Sequence, residues 1–422
     1  MKLRCVLCAQ IHPPNEPRYR CDCGATLDVV HDLDALQGVD LLGLWESRRG
    51  SPARLDRSGV WRYRELIAPG LEEHVVTRGE GNTWLYDSTT LAERVGLDRL
   101  LLKHEGENPT ASFKDRGMTV AITVARWLGM ESVACASTGN TSASMAAYAA
   151  LTGMPSLVFV PAGNIAYGKL SQALAYGGRT LQLAGDFDDA MALVQQACTE
   201  RDIYLVNSVN PFRIEGQKAI GFELLSDLGW QVPDWIVLPG GNLGNNTAIA
   251  KGLIELHELG LIERLPRIAV IQAAGANPLY TAWTTGSEVV PVKADTRATA
   301  IKIGAPVSWR KSLRGLSACD GVVTQVDDQQ ILDAKAWVDA AGIGAEPASC
   351  ATVAGVKRLV DEGVIRRGEM VTGVLTGHVL KDPEIVVRYH LSELEGIESH
   401  HANAPIEVAA TLEAVLAALG LG

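Results

Sequence analysis

The chain has 422 residues, of which 47% are hydrophobic and 21% are charged, and this balance is typical of a folded protein of two domains rather than a disordered one. Its 38 basic and 49 acidic residues give a formal net charge of −11, which argues against a nucleic-acid partner because phosphate backbones need clustered lysine and arginine. No apolar run approaches the length of a membrane span, and cysteines and charges interrupt the first eight residues, where a signal peptide needs an apolar core. We therefore expect a cytoplasmic protein with neither a nucleic-acid nor a membrane partner.

Four of the eight cysteines lie within the first 23 residues, as two close pairs. The pairs are Cys5 with Cys8 and Cys21 with Cys23, and Gly24 follows the second pair. Such spacing lets four thiolates share one tetrahedral zinc ion in a turn that needs glycine. A disulfide is disfavoured in a cytosolic chain, while idle thiols or a degenerate, empty site remain alternatives. We predict a zinc-ribbon-like segment over residues 1–30, with a structural metal because four protein ligands leave no open position for chemistry.

A lysine stands where a loop of small polar residues turns into a helix, in the stretch "ENPTASFKDRGM" over 107–118. The apolar residues 100–103 before it predict a short buried strand, and 118–127 have helix-compatible spacing. Ser112 is predicted to cap the helix. Lys114 then falls in a first helical turn, where the helix dipole disfavours a cation. It either points into solvent or serves a ligand that needs an amine.

From about residue 115 to 385, short runs of Val, Ile and Leu alternate with segments of helical periodicity. The predicted strands include 132–135, 156–160, 180–183, 235–238, 268–271 and 371–375. Apolar strands that alternate with helices imply parallel sheets covered by helices on both faces. The stretch 406–419 has amphipathic spacing and predicts a closing helix.

Two of these strands run into loops of glycine and small polar residues that open a helix. The first loop is "ASTGNTS" at 136–142, and the second is "PGGNLGN" at 239–245. Each combines backbone N–H groups with the positive end of a helix dipole, which is the arrangement of an anion site. The glycine spacing of the second loop differs from the dinucleotide fingerprint, and the next strand ends without an acidic residue for a ribose. A single phosphate group is therefore expected there.

A third strand end, "LTGH" at 375–378, offers the hydroxyl of Thr376, which can hydrogen-bond a ring nitrogen. A lysine, a phosphate cradle and a hydroxyl at the ends of parallel strands fit a carbonyl cofactor that carries a phosphate and a ring nitrogen. Pyridoxal 5′-phosphate has these features and is bound by lysine through its aldehyde. We therefore predict that Lys114 carries this cofactor.

Further motifs accompany these and extend over nearly the whole chain. In chain order they are "RYRCDCG", "WRYREL", "ENPTASFKDRGM", "STGNTSAS", "NSVNPFRIEGQKAIGFE", "GGNLGN", "ATAIKIGAPVSW", "EPAS" and "LTGHVLKDP". Together they resemble the motifs of threonine synthases, pyridoxal-phosphate enzymes of fold type II. The resemblance implies an α/β fold of two domains, with parallel-rich sheets flanked by helices and a small N-terminal zinc-ribbon-like segment. It also implies a large cofactor-binding domain formed by 31–114 and 206–422, a small mobile domain over 115–205, and a homodimer.

The same resemblance implies roles for individual residues. Lys114 would bind the cofactor aldehyde and move protons. The other cofactor ligands would be Asn140 at the phenolic oxygen, Gly240, Gly241, Asn242, Leu243, Gly244 and Asn245 around the phosphate, and Thr376 at the pyridine nitrogen. The substrate ligands would be Ser137, Thr138 and Thr141 at the carboxylate, and Asn207, Ser208 and Arg213 at a phosphate. A planar guanidinium such as that of Arg213 suits phosphate oxygens.

The implied activity converts O-phospho-L-homoserine and water to L-threonine and phosphate, by γ-elimination of phosphate and addition of water at Cβ. Several positions depart from the usual family pattern, and two of them matter most for the site, because Trp84 replaces a proline and Val379 replaces a glycine. They leave the exact substrate open. Phosphoserine β-replacement, serine or threonine dehydration, and γ-substitution of phosphohomoserine are alternatives that keep the cofactor.

An alternative from another class is a zinc-ribbon binding module whose enzyme fold has lost activity, which the intact Lys114 and phosphate loop argue against. A dehydratase of an unphosphorylated amino acid would not need Arg213 as part of a second anion clamp. Two more residues, His378 and Glu346, neighbour the site motifs. A structural role is as plausible for each, since Glu346 either lies near the cofactor ring or ends a helix.

Overall fold

A computed structural model describes residues 1–162, 167–185 and 187–421 of the chain. Its strands are β1 (Lys2–Cys5), β2 (Ile11–His12), β3 (Leu27–Val30), β4 (Leu85–Asp87), β5 (Leu100–His104), β6 (Ser132–Ala136), β7 (Ser156–Pro161), β8 (Arg179–Leu183), β9 (Ile203–Leu205), β10 (Trp235–Pro239), β11 (Arg267–Ala273), β12 (Val322–Val326) and β13 (Val371–Leu375). Its α-helices are α1 (Leu41–Arg48), α2 (Arg64–Ile67), α3 (Thr89–Val95), α4 (Lys114–Trp127), α5 (Asn140–Ala150), α6 (Tyr167–Ala175), α7 (Phe187–Glu200), α8 (Phe212–Asp227), α9 (Gly244–Glu258), α10 (Pro278–Thr285), α11 (Trp309–Ala318), α12 (Asp328–Ala340), α13 (Pro347–Asp361), α14 (Pro383–His390) and α15 (Leu412–Ala418). Within the described ranges, no helix has both the length and the apolar character needed to cross a membrane.

The strands of the described residues form three sheets. In the N-terminal sheet, β1 lies between β2 and β3 and is antiparallel to both. A six-stranded sheet has the order β12-β11-β10-β13-β5-β4, in which β4 is an antiparallel edge and all other neighbours are parallel. A four-stranded sheet has the order β8-β7-β6-β9 and is parallel throughout. The predicted α/β fold with parallel-rich sheets is confirmed.

The centre of the six-stranded sheet is buried on both faces. Every residue of β10 and β13 is buried, because their Val, Leu, Ile and Trp side chains pack under helices such as α13. The register pairs Val237 with Gly373 and Leu375 with His104. Parallel strands end at a common edge, so the loops that follow β5, β10 and β13 meet there.

Helices α4 and α8 cross at two glycines. A Cβ atom on Gly216 would lie 1.8 Å from the carbonyl oxygen of Arg116, and one on Gly117 would lie 2.9 Å from the carbonyl oxygen of Arg213. These distances leave no room for a methyl group, so glycine at both positions lets the two backbones touch. The contact holds the first turn of α4, which contains Lys114, against the first turn of α8, which contains Arg213.

The seven strands named from the sequence all form, as β5, β6, β7, β8, β10, β11 and β13. Two local predictions are wrong. The closing helix spans Leu412–Ala418 instead of 406–419 and buries no residue, because no apolar surface of the described chain receives it. The N-cap of α4 is Phe113, and the Ser112 hydroxyl caps nothing, because the backbone N–H of Phe113 instead donates to the carbonyl of Thr376.

Candidate active site

Lys114 is the first residue of α4 and lies beside the loop that follows β13. The N–H of Phe113 donates to the carbonyl of Thr376 (3.0 Å), and the N–H of His378 donates to the carbonyl of Ala111 (3.1 Å). Ala111 has a φ of 65°, a left-handed conformation that turns the chain sharply before the helix. Two loops that are distant in sequence are thereby bonded side by side, and Lys114 comes next to Thr376.

The surroundings of the Lys114 amine disfavour its positive charge. Its pKa is lowered to about 7, chiefly by burial and then by the charges of Arg213 and Lys381, while Glu346 acts in the opposite direction. The Nζ atom lies 3.7 Å from the centroid of the Phe113 ring, and it forms no ion pair with any carboxylate of the described residues. A large fraction of the amine is therefore neutral near pH 7, the form that attacks a carbonyl or accepts a proton.

The glycine-rich loop at 239–245 presents unpaired polar atoms at the start of α9. This helix begins at Gly244, and Leu243 before it has a left-handed φ of 63°. The side-chain oxygen and nitrogen of Asn245 and the side-chain oxygen of Asn246 are buried without a hydrogen-bond partner among the described residues. Unpartnered buried polar groups are costly, and a helix N-terminus attracts negative charge. The loop therefore fits a bound phosphate group, as pyridoxal 5′-phosphate requires.

Other residues of this loop set its shape. A Cβ atom on Gly240 would lie 2.6 Å from a valine side chain of β11, and one on Gly241 would lie 3.2 Å from the Cα atom of Ile301. The side-chain oxygen of Asn242 accepts from the N–H of Val307 (3.3 Å). Asn242 thus fastens the loop to the segment before α11, while the two glycines admit close neighbours.

A buried carboxylate joins the residues at the other end of the site. Glu346, which is 4% exposed, accepts from the Asn140 side-chain nitrogen at 3.2 and 3.3 Å. The Thr376 hydroxyl lies 3.5 Å from Glu346 and 3.0 Å from the Ser349 hydroxyl. Burial raises the pKa of Glu346, against the opposing hydrogen bond from Asn140 and the charge of Lys114. The predicted ring-binding residues therefore meet at one acidic side chain.

The small polar residues after β6 surround the start of α5. This helix begins at Asn140, and the N–H of Gly139 before it donates to the Ser137 hydroxyl (3.2 Å). Ser137, Thr138 and Thr141 are half-buried. An eleven-residue helix that begins among hydroxyl groups can accept a carboxylate on its first N–H groups.

The three residues predicted for a second phosphate differ in what they contact. Asn207 exchanges two hydrogen bonds of 3.0 Å with the backbone of Ala136, so its amide mainly ties the end of β6 to the segment before α8. Ser208 is half-buried beside it. Arg213 is buried, donates from Nη1 to the Val206 carbonyl (2.9 Å) and has no partner at Nε among the described residues. Burial lowers the pKa of Arg213 to about 10. This value is still above neutral pH, so the side chain keeps its positive charge although it forms no ion pair within the described residues.

Sequence reasoning gave little weight to two charged residues of this region. Glu346 precedes helix α13 in "EPAS", and its position in that motif was a usable signal. Lys381 lies in "LTGHVLKDP", and its Nζ donates to the side-chain oxygen of Gln172. Neither contact follows from local spacing, because each partner is more than a hundred residues away along the chain.

Trp84 and Val379, which depart from the family pattern, lie at the edge of the site. The side chain of Trp84 is exposed, and the whole residue is 66% exposed. Its backbone N–H donates to the carboxylate of Glu107 (2.6 Å), at the start of the loop before Lys114. The side chain of Val379 packs over Gly344, where a Cβ atom would come within 3.2 Å. Neither side chain is among the groups that contact Glu346 or the glycine-rich loop.

The N-terminal sheet brings together the four cysteines predicted as metal ligands. The sulfur atoms of Cys5, Cys8, Cys21 and Cys23 all lie within 4.8 Å of one another. Cys5 lies 3.4 Å from Cys23, Cys8 lies 3.6 Å from Cys21, and the Nε2 atom of His12 lies 3.4 Å from Cys21. Four converging thiols are a donor set that fits zinc.

Two solved structures illustrate the similarity of the fold to known enzymes. Maize serine racemase has a TM-score of 0.61 at 21% identity, over 79% of this chain and 97% of its own. The diaminopropionate ammonia lyase of Escherichia coli has a TM-score of 0.64 at 16% identity, over 80% of this chain and 94% of its own. At such low identity these similarities establish the fold alone.

Sequence comparison is more specific. Residues 76–377 match the family model described as "Pyridoxal-phosphate dependent enzyme". The threonine synthase of Methanosarcina acetivorans is 46% identical over 91% of this chain and 93% of its own length. That of Methanocaldococcus jannaschii is 43% identical over 92% of this chain and 95% of its own. The resemblance inferred from the motifs is confirmed, and the chain belongs to the threonine synthases within the family of pyridoxal-phosphate dependent enzymes.

Proposed function

We propose that this chain is a pyridoxal-phosphate-dependent threonine synthase that converts O-phospho-L-homoserine and water to L-threonine and phosphate. The observation that carries the proposal is the pair of separate anion-attracting groups at the starts of α9 and α8. One is the glycine-rich loop with its unpaired Asn245, and the other is the buried, unpaired Arg213. A cofactor phosphate needs one such site, and a phosphorylated substrate needs the second. The threonine synthases to which the chain is 43–46% identical support the same activity.

The residues of the site fit the cofactor. Lys114 would hold its aldehyde carbon, the glycine-rich loop and Asn245 its phosphate, Asn140 its phenolic oxygen, and Thr376 its ring nitrogen. When bound, pyridoxal 5′-phosphate supplies an electron-withdrawing ring that acidifies the protons on the substrate carbons next to the amino group. A hydroxyl such as that of Thr376, unlike a carboxylate, does not hold the ring nitrogen protonated. This choice should temper the withdrawal of electrons and restrain side reactions.

Substrate binding would use both ends of the site. The first N–H groups of α5, with Ser137, Thr138 and Thr141, would hold the carboxylate. Arg213, helped by Ser208 and the remaining amide hydrogen of Asn207, would hold the phosphate. We also propose that residues 115–205 form a small domain that closes over the substrate and excludes water until phosphate has left.

Lys114 would carry the protons of the reaction. Its neutral amine can take the proton from Cα and then one from Cβ as the Cγ–O bond to phosphate breaks, and it can afterwards return protons at Cγ and at Cα. A water molecule adds its oxygen and one hydrogen at Cβ, and its other proton is taken up by the released phosphate, so that the products are L-threonine and phosphate. The lowered pKa of Lys114, about 7, suits an amine that alternates between accepting and donating protons at neutral pH.

The direct test measures phosphate release from O-phospho-L-homoserine by the purified, cofactor-loaded protein, with amino-acid analysis of the product. We expect one threonine for each phosphate released, and none from a Lys114→Ala variant. Lys357→Ala, an exposed lysine on α13 that pairs with Asp361, is the matched control and should keep full activity. A loaded protein that ignores this substrate but consumes O-phosphoserine or threonine would replace the proposed reaction with one of the alternatives.

For the N-terminal segment, we propose a structural zinc ion held by Cys5, Cys8, Cys21 and Cys23. Metal analysis of the purified protein should give one zinc per chain, lost in Cys23→Ser and kept in Cys198→Ser, which changes a cysteine outside the cluster. Four protein ligands would make the ion structural, so zinc loss should lower stability more than it lowers the intrinsic rate. Zinc-free protein that is fully stable would rule the ion out.

The assembly and location proposed for the chain rest on the family resemblance and on its composition. We propose a homodimer that works in the cytoplasm on small molecules, without a nucleic-acid or membrane partner. Sedimentation at several protein concentrations tests the dimer, and a monomer at working concentration would remove it.

A further inference from the structure

Lys381 connects the segment after β13 with helix α6. It ends the 3₁₀ turn Val379–Lys381, which follows β13 of the six-stranded sheet. Its Nζ atom donates to the side-chain oxygen of Gln172, a residue of α6, which packs on α5 beside the four-stranded sheet. The ammonium group is therefore held by a neutral partner from helix α6.

Buried lysines elsewhere in the described chain have carboxylate partners. Lys103 pairs with Glu223 (2.7 Å), Lys218 with Glu215 (2.7 Å), Lys311 with Asp28 (2.9 Å), and Lys335 with Asp339 (2.7 Å). Lys381 is half-buried and forms no ion pair within the described residues, although burial lowers its pKa and Glu346 is close enough to counteract that effect. A cation that is partly removed from water and bonded only to an amide is poorly compensated, so it is suited to receive an anion.

Lys381 and Arg213 approach the same amine from different elements. The backbone N–H of Lys381 donates to His378, in the loop that is bonded to the residues before Lys114, and Arg213 lies in the first turn of α8, which contacts the first turn of α4. Neither cation is neutralised by an ion pair within the described residues. The glycine-rich loop provides for the cofactor phosphate at the start of α9, which leaves these two cations for a second anion. A phosphate monoester carries close to two negative charges at neutral pH, which two cations would balance.

Resting on the proposed function, we infer that Lys381 is a specificity-determining residue that binds the substrate phosphate together with Arg213, and that Gln172 orients it for this contact. The side chain then distinguishes phosphorylated from unphosphorylated amino acids, since an uncharged hydroxyl cannot compensate two cations. Lys381 thus adds the "LTGHVLKDP" segment to a phosphate site otherwise built from the segment around α8.

The experiment compares phosphate binding by cofactor-loaded wild type, Lys381→Met, Lys381→Arg and the control Lys357→Met. Calorimetric titration with inorganic phosphate requires no turnover, and visible absorbance verifies that each variant holds its cofactor. We expect phosphate to bind roughly tenfold more weakly to Lys381→Met, because a charge-assisted contact is lost. Lys381→Arg should keep most of the affinity, and Lys357→Met all of it. With O-phospho-L-homoserine, Lys381→Met should raise KM by a similar factor and change kcat less.

A second variant covers the case in which Lys381→Met fails to fold or to load. Gln172→Glu supplies a carboxylate to the ammonium group, so the internal ion pair should compete with phosphate and weaken its binding. Phosphate affinity equal to wild type in Lys381→Met, or in Gln172→Glu where that variant replaces it, would overturn the inference, as would a wild type that binds no phosphate. Failure of the proposed function looks different, because wild type would then bind phosphate in a Lys381-dependent manner and yet form no threonine.

Discussion

Two sets of charges are buried in this protein, and they are compensated differently. Under the site, Arg116 is fully buried and pairs with Glu105 (2.6 Å) and Glu223 (2.8 Å), and Glu223 also pairs with Lys103 (2.7 Å). Between α8 and α9, Glu215 pairs with Lys251 (2.6 Å). In these clusters each charge meets its opposite within the chain.

In the site itself the charges remain uncompensated. Lys114, Arg213 and Lys381 form no ion pair within the described residues, and Glu346 is hydrogen-bonded to Asn140 instead of a cation. The difference separates two uses of a buried charge. Paired charges fasten elements of the fold to one another, whereas unpaired cations retain their attraction for an anionic ligand.

The comparison predicts opposite outcomes for two buried arginines. Arg116→Met should lower the free energy of unfolding by about 3–5 kcal/mol, because Glu105 and Glu223 would be left buried without their partner. Urea unfolding followed by circular dichroism measures the change. The control Arg264→Met removes an exposed pair with Asp234 and should cost less than about 1 kcal/mol. If both substitutions lowered the free energy of unfolding equally, the buried cluster would stabilise the protein no more than an exposed ion pair does.

Arg213→Met should affect activity instead of stability, because it leaves no buried carboxylate without a partner. We expect the free energy of unfolding to change by less than about 1 kcal/mol, while kcat/KM for O-phospho-L-homoserine falls by about 10²-fold through loss of a charged contact. Steady-state kinetics and urea unfolding on the same preparation measure both quantities. A strongly destabilised Arg213→Met protein would place this arginine in the first group of charges instead.

Glu346→Gln tests the one carboxylate of the site at nearly constant shape. The amide keeps an oxygen for the Asn140 side chain but loses the negative charge, so we expect kcat to fall roughly tenfold through poorer alignment of the groups around the cofactor. The visible absorbance of the loaded protein should shift as well, since Asn140 and Thr376 both contact this residue. Unchanged kinetics and absorbance would show that Glu346 only precedes helix α13 and does not align the groups around the cofactor.

The smallest expected effect concerns pH. Because the pKa of Lys114 is lowered to about 7 from an ordinary 10.5, its neutral amine forms as pH rises through 7. The rate at which cofactor-free protein takes up pyridoxal 5′-phosphate, followed by absorbance, should therefore rise through the same range. Arg213→Met removes a charge that lowers this pKa and should move the midpoint to higher pH, whereas Glu346→Gln should move it lower. Midpoints that do not move would contradict the electrostatic account.

The local features of the site were predictable from the sequence, whereas its long-range contacts were not. Lys114, Thr376 and the glycine-rich loop each follow a strand and open or precede a turn, so strand and loop patterns identify them. The bond between Asn140 and Glu346 spans 206 positions, and no spacing rule connects such residues. The role of Asn207 was also not predictable from local spacing. Its amide side chain suggests a ligand contact, but in the structure it forms two hydrogen bonds with the backbone of Ala136.

The wrong predictions have the same cause. Amphipathic spacing at 406–419 predicts a helix but says nothing about a surface to cover it, and α15 buries no residue. Ser112 has the character of a helix cap, yet the backbone around it is bonded to the loop after β13, which local chemistry does not reveal.

The contact of Gly117 with Gly216 fixes how closely α4 and α8 can approach, and this limits the length of substrate that the site can bind at both ends. With the backbones touching, the two helices cannot approach any further to bring Arg213 nearer to Lys114. A substrate bound at its amino end by the cofactor and at its phosphate end by Arg213 must therefore have a set number of carbons between them. A phosphorylated amino acid one carbon shorter would leave one end unheld. A change of preferred chain length in this scaffold would then require new side chains at the phosphate end, since the spacing of the helices offers no adjustment.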